Sequence, residues 1–251
     1  MKKINSSFDI NNKIAIITGT SRGIGYSLAK GFIDSGAFVH GLSRSGSNLS
    51  NQENYTDHKI DLKDKSSINT LISKIGKAQK KCDILINCAG ISIPLNKSSN
   101  VIGDYFQETL DINLLSNFYL SSAVSELMKK QKSGSIINVS SIGANLGFPS
   151  NPAYISSKAG LSGLTRSLSY DLAKFGIRVN NLVPGYFLTD MTKESFSNPE
   201  KQKERSSRSL LSRWGDPEEL IGPAIFLASS ASSFITGIDL VVDGGWSIKG
   251  I

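Results

Sequence analysis

Tyr154 and Lys158 stand four residues apart, Ser141 precedes the tyrosine by thirteen, and a glycine-rich turn, Thr18-Gly19-Thr20-Ser21-Arg22-Gly23-Ile24-Gly25, lies far upstream. On a helix, positions i and i+4 share a face, so the Lys158 ammonium can sit close beneath the Tyr154 phenol. A phenol titrates near ~10 in water, and a neighbouring cation favours its anion. The pair would then give and take a proton near neutrality. Lowering the phenol by about three units requires roughly 4 kcal/mol of differential stabilisation.

The turn Gly19-x-x-x-Gly23-x-Gly25 follows an apolar strand and opens a helix, the context a dinucleotide fingerprint requires. Glycine permits close backbone approach, and the helix N-terminus offers free N–H groups to a pyrophosphate. Ser21, Arg22 and Ile24 complete that turn. The next strand ends at Ser43-Arg44, where an acid would bond a ribose 2′-hydroxyl and a cation takes a 2′-phosphate. With Arg44 there and Arg22 in the glycine turn, NADP(H) is expected in preference to NAD(H). Asp61-Leu62 and Asn87-Cys88-Ala89-Gly90 each follow a strand, at the rim where adenine and ribose would rest. Asp61 suits either a bond to adenine or an N-cap, and Asn87 and Gly90 either serve the nucleotide or shape a turn. Cys88 reads as a small packed residue.

These side chains need a scaffold. Short runs rich in Ile and Val alternate with longer amphipathic stretches, the pattern of repeated βαβ units. Strands are expected at Lys13–Thr18, Phe38–Ser43, His58–Ile60, Asp83–Asn87, Ser135–Ser140, Ile177–Leu182 and Asp239–Val242. Helices are expected at Ile24–Asp34, Ser66–Gln79, Tyr105–Lys130, Ala153–Phe175 and Pro217–Ala228, with Gly36 and Gly176 as C-terminal caps. The expected fold is α/β: a Rossmann-type, doubly wound, seven-stranded parallel sheet with helices on both faces, one domain over residues 1–251. Gly185 to Leu211 is too polar and irregular for a further strand. Ligands sit beyond the carboxyl ends of such sheets, so residues 185–211 are expected to act as a substrate lid.

Composition narrows the classes. The chain has 251 residues, 39% of them hydrophobic, ample for a sizeable core. The formal charge of +7 comes from lysines and arginines scattered among acids, which argues against a nucleic-acid surface. No run of about eighteen apolar residues exists, and Met1-Lys2-Lys3 leads into no apolar signal core, so a soluble, unexported, cytoplasmic protein is expected. Cys82 and Cys88 match neither a redox pair nor a metal-ligand pattern, and no metal site is expected.

Taken in order, Thr18-Gly19-x-x-x-Gly23-Ile24-Gly25, Asn87-x-Ala89-Gly90, Asn113, Ser140-Ser141, Tyr154-x-x-x-Lys158, Pro184-Gly185 and Asp243-Gly244-Gly245 resemble the short-chain dehydrogenase/reductase family over nearly the whole chain. The resemblance implies that Tyr154 is the general acid in ketone reduction and the general base in alcohol oxidation, beside a nicotinamide that exchanges a hydride. It implies that Lys158 supports the phenolate and holds the nicotinamide ribose, and that Ser141 bonds the substrate oxygen. It also implies that Asn113 holds a water linking Lys158 to solvent. Pro184 and Gly185 would then be cofactor-binding, and beyond them the Thr189 hydroxyl would meet the nicotinamide carboxamide, with an N-cap as its rival role. Phe187 stands where the family usually carries a β-branched aliphatic residue.

The stretches Pro184–Met191 and Arg213–Leu220 look most like gluconate 5-dehydrogenases, with similar stretches in 3-oxoacyl-acyl-carrier-protein reductases. Tyr186, Phe187, Met191 and Phe196 offer apolar walls, while Lys193, Lys201, Lys203, Arg205, Arg208 and Arg213 offer cations. A sugar acid such as gluconate or 5-ketogluconate is the expected substrate, with acyl carrier protein as partner under the alternative. A non-catalytic NADP-sensing regulator is the reading from another class. The long helices resemble those through which family members pair, so a homotetramer is expected.

Overall fold

Every residue of Ile14–Thr18 is buried, which fits a strand covered on both faces and explains its unbroken apolar run. The computed structural model, which describes residues 4–94 and 102–249, builds this segment into a parallel sheet. Its strands are β1 Ile14–Thr18, β2 Phe38–Ser43, β3 Tyr55–Lys59, β4 Ile84–Asn87, β5 Gly134–Val139, β6 Ile177–Pro184 and β7 Asp239–Val242. They lie in the order β3-β2-β1-β4-β5-β6-β7, all pairs parallel. The order reverses between β1 and β4, and the crevice beyond the strand ends at such a point is where nucleotides bind.

The helices are α1 Ile4–Ser7, α2 Gly23–Asp34, α3 Lys65–Gln79, α4 Ile102–Leu110, α5 Ser116–Gln131, α6 Pro152–Ala173, α7 Lys193–Phe196, α8 Pro199–Arg208 and α9 Ile221–Ala228. Alternate residues of β1 feed opposite faces. Ala15 and Ile17 pack with Leu28 and Phe32 of α2 and Leu227 of α9; Ile16 packs with Ile68 of α3, Leu120 of α5 and Leu172 of α6. The fold is thus the single doubly wound α/β domain expected from the sequence. Among the described residues no helix is long and apolar enough to cross a membrane.

Three expected elements differ. The third strand runs Tyr55–Lys59 rather than His58–Ile60; as an edge strand it is half exposed and carries no apolar alternation. The helix expected at Tyr105–Lys130 is α4 and α5 joined by one π-helical turn, Asp111–Leu115, with Asn113 inside it. Pro217–Ala228 divides into a 3₁₀ turn, Pro217–Leu220, and α9, because Asp216 and Glu219 form a capping box around that turn. A chain of buried polar side chains ties the sheet to its helices. Asn87 donates to Ser121 and Asn138, Asn138 to Thr165, Thr165 to Asn181, and Asn181 to Asp239, at 2.6–3.1 Å.

Candidate active site

A cavity of about 680 Å³ opens at the carboxyl ends of the strands. Of the residues expected to act in catalysis or hold the cofactor, all but Asn87 and Asn113 line it; of the expected substrate residues only Phe187 and Met191 do, while Tyr186, Phe196 and the six cations do not. The glycine turn is fixed from below: the Thr18 hydroxyl accepts the N–H groups of Cys88 and Ala89, each at 2.9 Å, and Gly19 donates its N–H to Leu42 at 2.8 Å. A Cβ at Gly25 would stand 2.3 Å from the Gly19 carbonyl oxygen, so the first turn of α2 closes this tightly only with glycine. The result is a bare backbone cradle at a helix N-terminus, which fits the pyrophosphate of a dinucleotide.

At the other end of the cradle, Arg44 is exposed at the end of β2, and Ser43 accepts the Gly46 N–H at 3.0 Å. Arg22 is exposed and lies 3.8 Å from Asp190 of the 185–211 segment. Asp61 accepts the Lys63 N–H at 3.0 Å, whereas Asp64 caps α3 through Ser66 and Ser67. Leu42, Ile60 and Leu62 add an apolar wall there; the first two were missed in the sequence because strand-end aliphatics carry no motif.

Tyr154 and Lys158 sit one turn apart on α6, with Lys158 Nζ 5.6 Å from the centre of the tyrosine ring. Pro152 at the start of α6 fixes that entry, since its missing N–H costs nothing in a first turn. Ser141 accepts the Gly143 N–H at 3.0 Å and hydrogen-bonds Tyr154, so its position is set by a 3₁₀ turn, Ile142–Ala144, after β5. The expectation that Lys158 depresses the phenol is not met in this state. Burial raises Tyr154 above its ordinary value and outweighs the Ser141 bond, while Tyr186 and Cys88 push the same way. Lys158 is itself buried, which lowers it to about 8, and its ammonium donates to the Val139 carbonyl at 2.8 Å. Burial also pushes Cys88 up to about 12, so it holds no thiolate.

Asn113 lies behind the cavity wall. Its amide accepts the Ile91 N–H at 2.8 Å and donates to the Ile91 carbonyl at 2.9 Å and to Ser157 at 3.0 Å. Its own carbonyl accepts from Asn117 at 2.9 Å. The side chain therefore pins the loop after β4 against α6, and the π turn gives it the reach. Asn87 is fully buried in the polar chain under the sheet. Thr189 lies over the glycine turn, 3.6 Å from where a Gly23 Cβ would stand, and its hydroxyl pairs with Thr192 at 3.2 Å. Phe187 is buried with its ring over Gly215, where a Cβ would come within 2.5 Å, so Gly215 makes room for the aromatic side chain.

Beyond Ser141 and Tyr154 stands an aromatic group that the sequence did not reveal as a unit. Tyr186 meets Trp214 and Trp246 at ring separations of 5.3 and 5.6 Å, and Phe148 meets Tyr186 and Trp246 at 6.2 and 6.0 Å. Trp246 follows the Asp243-Gly244-Gly245 turn, where both glycines have positive φ, and this turn is the one local signal for its position.

The fold and these groups have known counterparts. A family model described as enoyl-(acyl carrier protein) reductase matches residues 19–247. The 2-dehydro-3-deoxy-D-gluconate 5-dehydrogenase of Pseudoalteromonas atlantica is 34% identical over 248 residues, covering 95% of this chain and 97% of the relative. The gluconate 5-dehydrogenase of Gluconobacter oxydans is 33% identical over 252 residues, covering 96% and 97%. A crystal structure of a gluconate 5-dehydrogenase from Burkholderia cenocepacia, in complex with NADP and tartrate, superposes with a TM-score of 0.90 at 30% identity, covering 98% of this chain and 99% of that one. By these matches the chain belongs to the short-chain dehydrogenase/reductase family, nicotinamide-dependent oxidoreductases that act on CH–OH groups.

Proposed function

We propose that this protein interconverts a ketone and a secondary alcohol on a sugar acid of the gluconate type, using NADP(H) in preference to NAD(H). The observation that carries the reading is one continuous cavity from Arg44, past the glycine turn, to Tyr154. Arg44, with no acid at the end of β2, supports a 2′-phosphate at one end. The names of the Pseudoalteromonas and Gluconobacter relatives support a sugar acid at the other.

Bound nicotinamide would supply or accept the hydride. Tyr154 Oη gives its proton to the ketone oxygen in reduction and takes it back from the alcohol in oxidation. A phenol held protonated by burial suits the first of these steps. Ser141, its oxygen already bonded to the Gly143 N–H, keeps its own O–H for the Tyr154 or substrate oxygen. Lys158 spends one N–H on Val139 and retains two for the cofactor ribose and the phenolate. Asn113 acts from behind by holding the Ile91 loop. Residues 185–211, which carry α7 and α8, act as the lid.

Two exposed apolar patches support a homotetramer with two kinds of pair interface. One is Leu115 and Phe118 at the start of α5; the other is Phe234, Ile238 and Val241 at the β7 edge.

A steady-state comparison of 5-ketogluconate with an acetoacetyl thioester, each with NADPH and NADH, tests the function. The reading expects the keto acid and NADPH to give the higher kcat/KM; faster turnover of the thioester would transfer the protein to acyl-chain reduction. Binding of NADPH with no turnover of either carbonyl would favour a nucleotide sensor.

A further inference from the structure

The lid carries five cations, with Arg213 just beyond it, and the structure separates the six. Arg213 is committed, its two terminal nitrogens bonding Glu219 at 2.6 and 2.7 Å. Lys193, Lys201 and Lys203 are exposed. Arg205 and Arg208 instead lie on aromatic rings: the Arg205 guanidinium is 4.7 Å from the centre of Tyr186 and 6.0 Å from that of Trp214, and Arg208 is 5.4 Å from that of Trp246. Among the described residues neither has a carboxylate partner, although Glu204 precedes Arg208 by one helical turn.

A guanidinium seated on a ring is held in a fixed plane while its N–H edge stays free, the arrangement that recognises a carboxylate through paired bonds. The rings beneath stand outside the lining of the cavity at the strand ends and adjoin the reaction centre on the Ser141 side. Phe148, which meets Tyr186 and Trp246, lies 3.1 Å from where a Gly143 Cβ would stand, and the Gly143 N–H positions Ser141. Tyr186 is near enough to Tyr154 to disfavour its anion. The indole nitrogen of Trp246 is buried and has no hydrogen-bond partner among the described residues, so this ring serves as a wall rather than a reachable donor.

Resting on the sugar-acid reading, we propose that Arg205 and Arg208 bind the substrate carboxylate, that Tyr186 bonds a nearer hydroxyl, and that this group sets specificity for acids over uncharged ketoses. The aromatic floor accepts the C–H edges of a polyol chain, and the free donors match an anionic end. Lid charge thereby acts as a positioning device: it registers the far end of the substrate so that the keto carbon meets Tyr154.

L-Sorbose tests this directly, because it is 5-ketogluconate with CH₂OH in place of the carboxylate. The readout is the ratio of kcat/KM for the acid to that for sorbose, in wild type, Arg208→Met, Arg205→Met, the double variant, and Lys203→Met as a charge control on α8. The expected result is a fall of about tenfold in the ratio for each single arginine variant and more for the double, carried by KM of the acid, with Lys203→Met changing it less than about twofold. Arg208 is exposed, so its variant should remain folded if the Arg205 variant does not. A wild-type ratio well above one that survives both arginine substitutions would overturn the inference alone, as would an equal fall in Lys203→Met. A wild-type ratio below one would refute the sugar-acid reading, and the inference with it.

Discussion

Lys158 Nζ stands 5.6 Å from the centre of the Tyr154 ring and gives a hydrogen bond to Val139 rather than to the phenol. Burial moves the two groups in opposite directions, the amine down to about 8 and the phenol up. Near neutrality the pair therefore holds both of its protons, the state from which a ketone is reduced. The ammonium is a folding burden retained for chemistry.

That burden is measurable. Lys158 titrates at about 8 in the folded protein against 10.5 for the ordinary side chain, so the unfolded chain binds more protons between those values and stability rises with pH across that window. Below pH ~8 the full penalty applies, roughly 3 kcal/mol by the pKa difference. Lys158→Met removes it but leaves the Val139 carbonyl unpaired, a loss of about 1 kcal/mol. Denaturant unfolding at pH 7 should find the variant about 2 kcal/mol more stable than wild type, with the advantage gone by pH ~10. A variant less stable at pH 7 would contradict the buried-charge account.

Asn113→Ala would remove one buried and two partly buried hydrogen bonds and release Ile91. Gly90, next to that loop, is so placed that a Cβ would lie 3.3 Å from Asn113 Oδ1 and 3.7 Å from Lys158 Nζ, which couples the loop to the reaction centre. The expected loss is about 2–4 kcal/mol, a Tm lower by roughly 5–15 °C, together with a fall in kcat. Calorimetry and steady-state kinetics check it, and an unchanged Tm would count against the clamp.

Arg44→Asp should reverse the cofactor preference. Losing one phosphate contact and gaining a like charge raises the KM for NADPH by about tenfold or more, while the new carboxylate can accept a ribose hydroxyl and improve NADH. Comparing kcat/KM for the two cofactors decides it; an unchanged ratio would move the 2′-phosphate site away from Arg44.

How much was legible in the sequence follows from which forces write local patterns. The central strands β1, β4 and β5 are readable because burial on both faces demands aliphatic runs, while β2 and β6 show as shorter Val- and Ile-bearing stretches interrupted by His40 and by Asn180-Asn181. The glycine turn was readable because Gly25 has no space for a side chain. The edge strand β3 begins three residues before the expected start, since Tyr55 is its one buried residue and Thr56-Asp57-His58-Lys59 show no apolar alternation. The π turn at Asp111–Leu115 shifts the helical phase by one residue within an otherwise ordinary amphipathic pattern, so one long helix was expected. Asn87 sits in a motif but points into the core, a distinction set by neighbours 34 and 51 residues away. The Tyr186–Trp214–Trp246 group is likewise assembled from three separate segments, and no spacing rule joins them.

The central claim is that the Tyr154 hydroxyl carries the proton that accompanies hydride transfer. Kinetics of ketone reduction by wild type and Tyr154→Phe, with NADPH affinity measured on the same samples, tests it most directly. The account predicts NADPH affinity within about twofold and kcat lower by 10²–10⁴ or more; a Tyr154→Phe enzyme that turns over at the wild-type rate would contradict it.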